Sequence, residues 1–175
     1  MANFDAAIDF ILKWEGGYGE DEVDLGGLQT YRGISRKHNP NWAGWKIIDQ
    51  RKPKQWQIYQ DLEDDVKSFY KKHYWDAIKA DGICNDKIAA FMFDWYVNSG
   101  GHAVKAVQRI VGTTQDGILG NQTLHAINNY NGALYEPLRM ARISFYKKIV
   151  KDKPAQNKFL IGWLNRVNDF DKDFS

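Results

Sequence analysis

Only one cysteine, Cys84, stands in the 175 residues, so no internal disulfide can form. The four histidines (His38, His73, His102, His125) show neither the HExxH spacing nor the Cys/His clustering of a metal site. A chain of this length buries a stable core without such staples, and neither a metal nor a cofactor is expected. No apolar run approaches the roughly 20 residues of a membrane-spanning helix, which argues against stable membrane insertion. Residues 1–10 have no basic region followed by an apolar one, so no conventional secretory signal is expected there. Charge of either sign is nearly balanced: 24 Lys and Arg against 22 Asp and Glu leave +2, spread along the chain. That is not the footprint of a nucleic-acid binder, and an uncharged or weakly anionic partner fits at least as well.

Aromatic residues, by contrast, are plentiful, at 14% with seven tryptophans. Such a set suits stacking on flat or ring-shaped ligands and equally suits an aromatic core, and on composition alone core packing takes precedence. Behind Asn3, a cap residue, Phe4, Ile8, Ile11 and Leu12 recur at helical spacing up to the stop at Gly16-Gly17, predicting a helix over residues 4–15. From 16 to 35 the chain is glycine-rich and polar with short Thr/Tyr/Ile stretches, the pattern of a small hairpin or two. Residues 39–56, holding Pro40, Pro53 and three tryptophans, read as an irregular connector. Beyond it helices dominate. One is marked by Leu62, Val66, Phe69 and Tyr70; others cover 86–98, 103–111 and 121–128; a long one, opened or kinked by Pro137, runs towards Val150; a last spans 155–168. The fold class expected is mainly α, with a small β element (α+β).

Glu15 follows Leu12 by three residues, Ile11 by four and Ile8 by seven, so a helix sets its carboxyl on the apolar stripe. It also occupies the last turn, facing the negative end of the helix dipole. Both circumstances favour the protonated form, the state required of an acid that gives its proton to a leaving oxygen near neutrality. Position alone leaves a second reading open, a Glu turned to solvent at a frayed helix end.

Eight residues separate Glu15 from Asp24, and five more separate Asp24 from Thr30. This Glu-x8-Asp-x5-Thr order, a helix end leading into a glycine-rich hairpin, resembles the catalytic triad of phage-type lysozymes. The words around it, Glu15-Gly16-Gly17-Tyr18, Asp24-Leu25-Gly26-Gly27 and Arg32-Gly33-Ile34-Ser35, resemble the signatures of glycoside hydrolase family 108. That resemblance implies a lysozyme-like fold, with a small β-hairpin lobe and a helical lobe. The implied activity is that of an N-acetylmuramidase, cleaving the β-1,4 bond between N-acetylmuramic acid and N-acetylglucosamine in peptidoglycan. Glu15 would protonate the glycosidic oxygen, while Asp24, aided by the Thr30 hydroxyl, positions a water on the opposite face. Such inverting chemistry requires carboxyl groups about 6.5 to 9.5 Å apart. For Asp24 an Asx-turn role ahead of Gly26-Gly27 also stays open. Tyr18 and Tyr31 are expected to contact substrate, Tyr18 either stacking on a sugar or stapling the hairpin.

Further along, Phe93-Asp94-Trp95-Tyr96-Val97-Asn98-Ser99-Gly100, then Gln108 and the stretch from Asp116-Gly117 to Thr123, resemble the peptidoglycan-binding region that follows the catalytic segment in this family. Gly162-Trp163-Leu164-Asn165-Arg166-Val167 resembles its closing motif. Asp116-Gly117 with Thr123 reads physically as a tight turn capping the helix near Asn121. Asn98 and Ser99 either hydrogen-bond a substrate acetamido group or cap their own helix. The organisation expected is a catalytic segment over 1–90 and a helical region over 91–175, packed as one continuous lysozyme-like domain because no linker divides them. The partner implied is the glycan strand of bacterial peptidoglycan, met by a monomer made in the cytoplasm and acting in the periplasm or wall after non-classical release, export or phage lysis. Two rivals stand beside this reading. One is a lytic transglycosylase using Glu15 alone; the other is a non-catalytic wall-binding or secretion-associated protein.

Overall fold

Helix α1 (Phe4–Trp14) begins where the Ala6 N–H is accepted by Asn3 Oδ1 at 3.1 Å, and its stripe is fully buried at Ile8 and Ile11. It belongs to a computed structural model that describes residues 2–20 and 29–174. The described chain is 68% helical with one small antiparallel sheet, which makes the fold mainly α with a small β element. Contacts divide it into two compact units, Ile8–Lys71 and Met1–Ala7 with Lys72–Ser175.

The first unit holds the sheet, in the order β1 (Tyr18–Glu20), β2 (Gln29–Tyr31), β3 (Ile34–Ser35). Tyr18 pairs with Tyr31, Gly19 with Thr30, and Tyr31 in turn with Ile34. Arg32 and Gly33 alone link β2 to β3, and both have positive φ, 48° and 77°, the twist that a two-residue hairpin requires. Residues 39–56, expected to be irregular, contain helix α2 (Gly44–Arg51). The two prolines flank this helix instead of interrupting it, and besides Gly44 it buries only the side chains of Trp45 and Ile48, too few to show a period. Helix α3 (Glu63–Tyr70) buries Val66, Phe69 and Tyr70, as its spacing predicts.

In the second unit α4 (Asp86–Ser99) is buried without a break from Ile88 to Trp95, so neighbours cover every face of it. Helices α5 (Gly101–Val111) and α7 (Tyr135–Asp152) pack on it, and α8 (Asn157–Asp173) packs on α7. Pro137 lies in the first turn of α7, where its missing N–H costs nothing, so it opens the helix and does not kink it. Helix α6 (Asn121–Asn128) lies against α5. No described helix is long and apolar enough to cross a membrane.

Candidate active site

Glu15 stands one residue beyond the end of α1, its N–H still donating to Ile11 O at 3.0 Å. Its side chain is half-buried, less enclosed than the stripe below it, because the helix stops at Trp14. The carboxyl lies over the bare Cα of Gly33. A methyl group there would come within 2.7 Å of Glu15 Oε2 and 2.5 Å of the Tyr70 hydroxyl. Gly33 thus meets two demands: a left-handed backbone, and room for the acid and the phenol at one point. Tyr70 is held there by donating its hydroxyl hydrogen to Arg32 O at 2.8 Å.

Arg32 fixes the other side of the same turn. Nη1 donates to the carbonyls of Leu12 at 3.1 Å and Glu15 at 3.2 Å, so a cation closes the C-terminal end of α1, where the dipole favours positive charge. Nε and Nη2 meanwhile grip both oxygens of Glu63 on α3, at 3.0 and 2.6 Å. The hairpin turn is therefore tied to the helix that presents the acid and to the helix that supplies Tyr70. Sequence reasoning took Arg32 only as one letter of a motif, since nothing local connects it to a carboxylate 31 positions away. Trp56 was likewise passed over. Its φ is +67° and it is 69% exposed, with its ring against Gly16, next to the acid. Its own N–H donates to Tyr18 O at 2.7 Å, and Tyr18 N–H donates to Gln57 O at 2.8 Å, so backbone pairing with β1 holds the indole in place.

The expected hairpin residues sort by the alternation of strand faces. Tyr18 and Tyr31 are register partners and face the interior together, whereas Gly19 and Thr30 face the other way. Tyr31 is fully buried, stacked on Trp42 and Tyr59, its hydroxyl accepting the Tyr59 N–H at 2.8 Å. The expectation that it contacts substrate is therefore corrected: it is a core residue. Tyr18 is buried as well and donates to Glu20 Oε2 at 3.0 Å, the stapling alternative; burial first and Glu20 second raise its phenol above the usual range. Thr30 is half-buried in β2, with Oγ1 over Gly19. Asp24 lies outside the described residues. Asn98 and Ser99 belong to the second unit, where Asn98 Nδ2 donates to Asp94 O at 2.9 Å, a bond back along its own helix.

The sequence model described as Glycosyl hydrolase 108 matches residues 8–100, more than half of the chain. The chain belongs to the glycosyl hydrolase 108 family. A second model, described as Predicted Peptidoglycan domain, matches residues 102–168. Among solved structures it is similar to that of SagA from Brucella abortus, with 26% identity and a TM-score of 0.69 over 95% of this chain and 90% of that one. No curated protein sequence matches it. As a glycosyl hydrolase 108 member carrying a peptidoglycan domain, it is a glycosidase that acts on peptidoglycan.

Within this family member, the words shared by the C-terminal half hold the second unit together. Asp94, from the first of them, is wholly buried and meets Arg166, from the last, at 2.7 Å and Arg142 at 2.6 Å. Burial alone would raise the Asp94 carboxyl, but the two guanidiniums overcome it and hold it below the usual carboxylate range. Gln108, also buried, donates to Asp116 Oδ1 at 2.7 Å, Ile118 O at 3.0 Å and Thr123 Oγ1 at 3.3 Å, and accepts the Gly117 N–H at 3.0 Å. Asp116 and Thr123 are thus parts of a locked turn ahead of α6, the structural role that their spacing suggests.

Proposed function

We propose that the chain is an N-acetylmuramidase with Glu15 as its general acid. The observation that carries this reading is the placement of the Glu15 carboxyl, at a helix end closed by Arg32, over Gly33 and beside the Tyr70 hydroxyl, with the exposed Trp56 indole nearby. Such an acid is restrained in position yet open to a ligand, and an exposed aromatic ring beside it offers a pyranose a stacking face. In the reaction Glu15 gives its proton to the glycosidic oxygen as the bond from C1 of the muramic acid breaks. Asp24, assigned from the motif, takes a proton from the water that forms the new bond to C1 from the opposite face, with Thr30 orienting that water and the anomeric configuration inverted.

Mass spectrometry of the sugars released from purified peptidoglycan tests this directly. Wild type is expected to leave reducing N-acetylmuramic acid ends, and Glu15→Gln to release them at least about a hundredfold more slowly. Anhydro ends would make the chain a lytic transglycosylase. Undiminished release by Glu15→Gln would remove Glu15 from the chemistry.

A further inference from the structure

The second unit carries a groove of about 710 Å3, within the size range of small-ligand sites, and none of its lining residues belongs to the Glu15 group. Its walls are single faces of α5 and α7, because the lining positions recur every three or four residues. Lys105 and Arg109 project from α5; Lys148 and, just past the end of α7, Lys153 stand opposite. Against these four cations the groove has one acid, Asp152, and Lys148 already pairs with it at 2.8 Å. A chain whose overall charge is +2 therefore gathers a local cationic excess around one concavity.

The interior of the groove is aromatic. Phe145 lies 5.1 Å from the His102 ring, and Trp95, on α4, lines the groove while wholly buried. The Trp95 indole N–H has no acceptor among the described residues, an uncommon state for a buried donor. A ligand suited to this surface offers anionic oxygens to the rim and a compact body for the aromatic wall.

We propose that this groove binds the carboxylate-bearing stem peptide of peptidoglycan, not its glycan strand. The inference rests on the reading of the chain as a peptidoglycan glycosidase, which narrows the polymer; the charge pattern narrows the part. Lys148 is paired with Asp152 and Lys105 also feels Asp116, so the excess rests on the remaining positive charge of the rim; uncharged hydroxyl and acetamido groups give that charge no counter-ion, whereas a stem peptide presents carboxylates at short intervals. Binding through such a groove keeps the enzyme on the polymer between cleavages and favours strands that still carry their peptides.

Calorimetric titration of the full chain with N-acetyl-L-alanyl-γ-D-glutamyl-meso-diaminopimelate provides the test. Wild type is expected to bind this tripeptide, and the paired substitution Lys105→Ala with Arg109→Ala to weaken binding about tenfold. Raising salt from about 50 to about 500 mM should weaken the wild-type complex to a similar degree. Both substituted residues are exposed, so the variant folds, which its unchanged circular dichroism would verify. Failure of wild type to bind the tripeptide, or equal binding by the variant, overturns the proposal. Sugar release measured on the same samples separates the two readings. Tripeptide binding through the groove without sugar release removes the muramidase and leaves the groove; release without tripeptide binding does the reverse.

Discussion

Replacing Arg32 tests the geometry of the acid without touching its carboxyl. In Arg32→Ala two hydrogen bonds to the last carbonyls of α1 disappear, and Glu63 loses a two-pronged partner. The Arg32 and Glu63 side chains are each 12% exposed, so the pair lies nearer the buried case than the surface one, and its loss should cost about 2 kcal/mol. The carbonyl bonds add about 1 to 2 kcal/mol more, for a total near 3 to 4 kcal/mol. Arg32→Lys keeps the charge but not the fork, and about half of that loss is expected. A double-mutant cycle with Glu63→Gln should show a coupling of about 1 to 2 kcal/mol.

Arg32→Gly supplies the sharper comparison. At an ordinary position glycine is less stable than alanine, but the φ of +48° here reverses the order, and Arg32→Gly should exceed Arg32→Ala by about 1 kcal/mol. Urea unfolding followed by circular dichroism measures all five variants, the double mutant included, and sugar release from peptidoglycan measures their activity. Since Arg32 holds the Glu15 carbonyl, kcat should fall about tenfold or more with little change in KM. The reasoning is refuted if Arg32→Ala costs less than about 0.5 kcal/mol, or if the glycine variant is the less stable of the two.

Three further outcomes are expected. Gly33→Ala, forced into a φ of +77° and against Glu15 and Tyr70, should lose about 2 kcal/mol of stability in urea unfolding and most of its activity. Trp56→Ala, at an exposed position, should leave stability within about 0.5 kcal/mol while raising KM about fivefold; an unchanged KM would remove the indole from the substrate path. Asp94→Asn strands two buried guanidiniums and should cost about 3 kcal/mol at neutral pH. Because the folded Asp94 carboxyl titrates below its unfolded value of about 3.9, its contribution is complete above that pH and is lost as pH falls below it towards the folded value. Thermal melts between about pH 2 and pH 7 should therefore show the wild-type advantage over Asp94→Asn shrinking only at the acid end.

What could be read from the sequence was whatever repeats along the chain or sits beside its own cause. The α1 stripe, its Asn3 cap and its glycine stop are local, and so is the Pro137 helix start. Helix α2 escaped because two buried side chains in eight residues, beside the bare Gly44, make no period, and it is packing, with the Trp45 indole donating to Asn39 O at 2.8 Å, that holds it. Tyr31 was misassigned for a related reason. Nearness in sequence to a candidate acid says nothing about which strand face a residue takes, and its register with Tyr18 decides that face. Long-range partners were out of reach altogether: Arg32 with Glu63, and Trp56 with Tyr18, meet only once the chain is folded.

The motif words of the second unit carry a different lesson. They marked residues that matter, but sequence alone gave Arg166 no role beyond its place in the closing word. Its meeting with Asp94 supplies a structural one, since two words 72 positions apart close on one buried carboxylate. Recognition then has to be sought where folding demands little. The cations of the α5–α7 groove lie outside those words and are exposed, so little of the fold depends on them. Their number is lost in a nearly neutral composition, and only the helical spacing of Lys105 and Arg109, set against Lys148 on α7, turns scattered charge into a surface that can select an anion.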